Sequence, residues 1–153
     1  MEKPSSFYSP GIGAFETICL AAGIGIAIGM MAGTTGLEGS SRGRMTVLSA
    51  VIGLVFGYLI VSALDGSSLI GAIACAFFAG FACAVTSGVI AGATRRGGTA
   101  ALAFLTVFGA IVIAAISVLF PPFAILPAAG LVWLAISRRR RADRKHAGLR
   151  VLR

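Results

Sequence analysis

Few side chains in this sequence could do chemistry, and four of them sit near one another in the pattern. Glu16 lies about one helical turn into the first apolar run, roughly 6 Å below its edge. An ionisable group inside an apolar span is costly, so it is a functional candidate by default. Asp65 closes the second apolar run, with Tyr58 and Ser62 just before it. If both runs are helices that meet at one membrane face, Glu16, Tyr58, Ser62 and Asp65 would line a shallow acidic vestibule suited to a cation. Each acid also has a plainer reading. Glu16 suits the first turn of a helix, where the macrodipole favours an acid. Asp65 suits a turn beside Gly66.

Other chemistries find no support. No span holds a His, no Ser-His or Cys-His pairing is present, and no two carboxylates share a depth, so general acid–base and nucleophilic catalysis lack their parts. An enzyme is not expected. Cys19, Cys75 and Cys83 all lie in apolar stretches, an odd number without metal-ligand spacing, and His146 stands apart in the charged tail. Neither a metal nor another cofactor is implied. Thr86, Ser87 and Thr106 fit hydroxyls that bond within or across helices. Gly23-Ile24-Gly25 lies inside an apolar run, where glycine serves packing rather than a phosphate.

The elements that must position these groups follow from composition. The 153 residues are 58% hydrophobic and 12% charged, whereas a soluble domain carries about a quarter charged residues. Leu69 to Ala93 runs without a charge, and small residues recur every fourth position through Ala72, Ala76, Gly80, Ala84, Gly88 and Gly92. In a helix this spacing lays a groove along one side, where another backbone can approach closely. Similar ridges occur as Gly25, Gly29 and Gly33 in the first span and as Ser49, Gly53 and Gly57 in the second. We therefore expect a central third helix in a small membrane bundle.

The spans are expected at about residues 12–33, 45–64, 69–93, 99–120 and 123–137. Residues 97–137 carry no charge. As one straight helix they would reach roughly 60 Å, twice the apolar thickness of a bilayer. Pro121-Pro122 is the expected reversal, since a proline pair breaks a helix and restricts the residue before it. The fifth span is then short, and Pro127 suggests a kink or a partial re-entry. Phe7, Tyr8 and Trp133 suit the membrane interface, where aromatic rings settle. No cleavable signal peptide is expected at the start, because Met1 to Pro10 has no basic lead.

Charge orders the topology. Formal net charge is +8. Arg42 and Arg44 follow the first span, Arg95 and Arg96 the third, and Arg138, Arg139, Arg140 and Arg141 open a basic tail, residues 138–153, after the fifth. Five spans put these segments on one side. The positive-inside rule then places the N-terminus outside and the C-terminus in the cytoplasm. The tail reads as an anchor for anionic lipid headgroups. It does not read as a nucleic-acid site, because no aromatics are interleaved and no recognition fold is present. Two faint echoes, Gly29–Thr35 with Gly88–Thr94 and Val55-Phe56-Gly57 with Val107-Phe108-Gly109, fit either a two-hairpin internal repeat of parallel orientation or chance similarity in so Gly- and Ala-rich a sequence.

The glycine spacing of spans one to three, with a basic connecting loop, is similar to that of the proteolipid subunits of rotary ATPase rings. Those subunits carry an ion-binding carboxylate in the second helix of a hairpin. Spans two and four hold no acid at mid-depth, and a fifth span and a basic tail depart from the pattern. The chain is therefore not read as one of them.

The expected fold is an all-α integral membrane bundle of five transmembrane helices, one domain over residues 1–137 followed by the tail. The expected role is a non-enzymatic oligomerising or accessory subunit of a membrane complex, with a small transporter or channel using Glu16 as the alternative. Ridge residues Gly25, Gly29, Gly33, Gly53, Gly57, Gly80, Ala84, Gly88 and Gly92 are the expected packing positions, and some of that surface could receive a partner. The Arg-to-Lys ratio, with abundant Ala and Gly, suggests a GC-rich bacterium and its inner membrane.

Overall fold

A computed structural model describes residues 13–35, 40–65, 68–94 and 99–147. These form five α-helices, with no strand among the described residues: α1 (Ala14–Gly33), α2 (Ser40–Ala63), α3 (Ser68–Thr94), α4 (Thr99–Leu119) and α5 (Ile125–Ala147). A 3-10 turn, Pro121–Ala124, joins α4 to α5. Five helices are long and apolar enough to cross a membrane. In hydrocarbon only a helix satisfies its backbone within one segment, and these apolar runs have no other stable form there. Lys3, Phe7, Tyr8, Glu38, Gly66, Arg95, Arg96, Arg150 and Arg153 lie outside the described residues, as does the side chain of Arg141.

α3 is the centre. α1 lies along it in parallel, in step with the four-residue spacing: Gly25 against Cys75 and Ala79, Gly29 against Ala79 and Ala82, Gly33 against Thr86 and Ser87. α2 lies along another side of α3 in the opposite direction, Gly53 against Cys75 and Ala76 and Gly57 against Gly71 and Ala72. The approach is backbone to backbone. A Cβ on Gly25 would stand 2.5 Å from the Cys75 carbonyl oxygen, and one on Gly57 would stand 2.6 Å from Cys75 Cβ. Between lipid-soaked helices there is little hydrophobic driving force, so this close van der Waals contact does much of the holding. The α3 residues at the seam are correspondingly small, and Cys75, Ala79 and Ala82 are fully buried.

α4 and α5 pack by fewer and larger side chains. α4 lies chiefly on α1, with Ser117 beside Gly23 and Gly109 within van der Waals reach of Met30. α5 sends Leu131 into a cluster with Ile26, Ala82 and Val85. Phe104, Leu105, Phe108 and Trp133 are exposed.

Two details differ from the sequence expectation. α2 begins at Ser40, five residues before the expected start, and takes Arg42 and Arg44 into the helix. Hydropathy marks only the lipid-depth part of a helix, and long basic side chains let its end run on toward water. The tail is likewise continuous with α5 as far as Ala147. Phe120, extended at φ −139° and ψ 82°, ends α4 before the proline pair, as a residue preceding proline tends to. Pro127 falls in the first turn of α5, where its missing N–H breaks no helical bond, and α5 runs unbroken past it.

Candidate functional site

The four outer polar candidates share one end of the bundle without joining. Glu16 is in the first turn of α1 and exposed. Tyr58 and Ser62 are four residues apart on α2 and both exposed, one position past Gly57 and Val61, which face α3. Ser62 turns its hydroxyl to the carbonyl of Leu59 at 2.9 Å, within its own helix. Asp65 follows α2 at φ 52°, the only non-glycine residue with positive φ among those described. A short polar side chain tolerates that left-handed position, which suits a chain reversing direction. Among the described residues no hydrogen bond links any two of these four.

The opposite end holds a cluster that is more tightly built. Arg42, on the first turn of α2, reaches across to α3 and donates from Nη2 to the carbonyl of Ala84 at 2.5 Å. Arg138, on α5, donates from Nη1 to the carbonyl of Val85 at 3.1 Å and from Nη2 to that of Gly88 at 2.6 Å. Ser87 adds a 3.3 Å bond to the Ala84 carbonyl. The two guanidiniums meet over Gly88. A Cβ there would stand 2.7 Å from Arg42 Nη2 and would run into Arg138 Nη1. These neighbours are the far ends of two long side chains, so a Cβ at Gly88 would displace the guanidiniums rather than strain the backbone. The acids whose side chains are described are Glu16 and Asp65. Asp65 stands at the far end of α2 from Arg42, about 35 Å along the helix.

Sequence reasoning singled out Arg138 as one of four equivalent anchors and Arg42 as a topology charge. All three of Arg138, Arg139 and Arg140 are exposed, and the structure separates Arg138 from the other two by its hydrogen bonds to the α3 carbonyls of Val85 and Gly88. A weak signal was present: Arg138 lies seven residues, about two turns, after the buried Leu131. The other ridge positions also differ among themselves. Gly80 has ordinary room, with Ala50 Cβ 3.5 Å from its added carbon, and Gly92 has nothing within 4 Å.

A further hollow of about 160 Å³ opens between α4 and α5, lined by Ile113, Ile116, Ser117, Phe123, Leu126 and Pro127. Its one hydroxyl, Ser117, already donates to the Ile113 carbonyl at 2.7 Å, so the hollow offers shape and no chemistry. Among the described residues no three His, Cys, Asp or Glu side chains group as metal ligands. Cys19, Cys75 and Cys83 are buried free thiols.

The class these features define is that of multi-pass helical membrane proteins, organised on a central α3 with a basic cluster at one end. No family model matches the chain, and searches of curated proteins and of solved structures find no relative.

Proposed function

We propose that this chain is a non-enzymatic subunit of a membrane complex, assembling with copies of itself or with a larger partner. The observation that carries the reading is what fills the centre of the bundle. Along the α1–α3 and α2–α3 seams, glycine backbones meet small side chains, and the buried hydroxyl of Ser49 is spent on the Ala79 carbonyl at 3.1 Å. A transport route needs polar groups that a solute can reach across the full depth. Among the described residues the buried polar side chains are Thr17, Ser49, Thr86, Ser87 and Ser117, none of them ionisable. The proposal includes an N-terminus outside, a C-terminus in the cytoplasm, and residence in the inner membrane, all supported by the arginines gathered at one end. It also includes descent from a doubled hairpin. The echoed segments Gly29–Thr35 and Gly88–Thr94 both fall at the arginine end, which agrees with parallel repeats.

Native mass spectrometry of the protein released from lipid nanodiscs tests the reading. A defined homo-oligomer, or one copy bound to another membrane protein, is expected. A stable monomer that moves an ion or solute in liposomes would overturn it. If that flux then fell in Glu16→Gln, the transporter alternative would take its place.

A further inference from the structure

We propose that Arg42 and Arg138 form a binding site for a phosphate group, that of an anionic membrane lipid headgroup or of a soluble phosphate, seated over Gly88 between α2 and α5. The inference does not rest on the subunit reading.

The helix itself does not need these arginines. α3 continues to Thr94, six residues beyond Gly88. The carbonyls of Ala84, Val85 and Gly88 therefore have partners within the helix, and the guanidiniums are not caps for orphan groups. Val85 and Gly88 take Arg138 on the second lone pair of each carbonyl, and Ala84 shares its own between Arg42 and Ser87. Among the described residues no carboxylate pairs with them, since Glu16 and Asp65 stand at the other end of the bundle. Two cations brought within about 5 Å of each other repel, all the more beside lipid, where the dielectric is low. An anion between them turns that repulsion into attraction.

The donors also suit phosphate. A guanidinium carries five N–H groups. Arg42 spends one of them and Arg138 two on α3 carbonyls. The rest remain for a planar, paired contact with phosphate oxygens, the geometry that favours arginine over lysine. The carbonyls hold both side chains in place, so part of the ordering cost is met before the ligand arrives. Arg138 is fourteen residues from Ala124, about 21 Å along the helix axis from the α4–α5 turn, so in an apolar layer of about 30 Å its backbone lies short of the opposite interface and its long side chain must span the remaining depth to meet a headgroup. Basic pockets between membrane helices take lipid headgroups in this way.

The test uses the full chain in nanodiscs of neutral phosphatidylcholine with increasing phosphatidylglycerol, read by native mass spectrometry as anionic lipid retained per protein. Arg42→Gln and Arg138→Gln are each expected to lower retention about tenfold, while Arg139→Gln and Arg140→Gln leave it within about twofold. Arg42→Lys and Arg138→Lys keep the charge but lose the fork, and should fall between. Helical content measured in neutral lipid alone separates loss of the site from loss of the fold. Should either Gln variant unfold there, the Lys variant at that position decides. Equal retention in wild type and both inner variants would overturn the site, as would an equal loss on removing Arg139 or Arg140, which would mean diffuse attraction to the tail. Inorganic phosphate added as competitor distinguishes the sources. Displacement of lipid assigns the site to phosphate in general, and resistance to displacement assigns it to the lipid.

Discussion

The α1–α2–α3 unit and the α4 and α5 helices that follow it are all apolar enough to cross a membrane, yet they are held differently. In the first, glycines let backbones touch, and a buried hydroxyl crosses from one helix to the next. In the second, Phe104, Leu105 and Phe108 point away from the bundle, and few residues of α4 are buried. Within a membrane, apolar character alone gives helices no reason to prefer one another over lipid. Shape and hydrogen bonding then decide which helices form a rigid unit. Here the rigid unit is the one with ridges in register.

The contrast is broken most directly at Gly29. A Cβ there meets the Ala79 carbonyl and comes 2.7 Å from Ala82 Cβ. The obstacle is backbone, which cannot swing aside as the end of a side chain can. Gly29→Leu should destabilise the fold by about 3 kcal/mol, the upper range for overpacking. The measurement is reversible unfolding in mixed micelles with rising SDS, followed by circular dichroism. A variant as stable as wild type would mean that α1 does not lie on α3 as described.

A smaller effect compares two buried serines. Ser49 donates from α2 to α3, whereas Ser117 donates to Ile113 within α4. Ser49→Ala should cost about 0.6 kcal/mol, the typical worth of an interhelical hydrogen bond in a membrane protein. Ser117→Ala should cost less, because a bond back to the preceding turn ties no two helices together. If Ser117→Ala proved the more damaging in the same unfolding assay, the contrast between the two regions would reverse.

How far the sequence carries this picture depends on the kind of contact. Charge-free length and Pro121-Pro122 make the five helices and their reversal legible, because both act through local rules of span and backbone. The small-residue ridges mark surfaces fit for close approach, but periodicity carries no address. Gly29 and Gly92 look alike in the sequence, and only the assembled helices show one against Ala79 and the other open. The vestibule was inferred from depth, which places Glu16 and Asp65 at one end but says nothing of direction around each helix. Arg42 and Arg138 were hidden for the opposite reason. They are 96 positions apart in the chain, and long flexible side chains reach a common point that no short-range pattern records.

Gly92 provides a test of opposite sign. With nothing within 4 Å of an added Cβ, Gly92→Ala meets no neighbour and should gain about 0.5 kcal/mol from helix propensity. A loss instead would show that this open stretch of α3 is covered in the assembled protein. That outcome, seen only where the protein is oligomeric or bound to a partner, would locate the contact.

The smallest intrinsic effect is expected at Phe104, and it sharpens the comparison most. Its side chain is 76% exposed on α4. Truncation to alanine exchanges ring–lipid contacts for other lipid contacts, and does so equally whether α4 is docked or separated. Phe104→Ala should therefore change the stability of the isolated chain by less than about 0.5 kcal/mol, as an exposed substitution does. An oligomer would respond differently if α4 is the face it uses. A ring packed against a second subunit loses those contacts only on dissociation. The variant would then shift the monomer–oligomer balance, read by native mass spectrometry, while leaving the unfolding curve of the monomer in place. A change in the monomer's own unfolding would instead mean that α4 is held as firmly as α1 and α2, and the division of the molecule into a tight unit and a loose hairpin would fail.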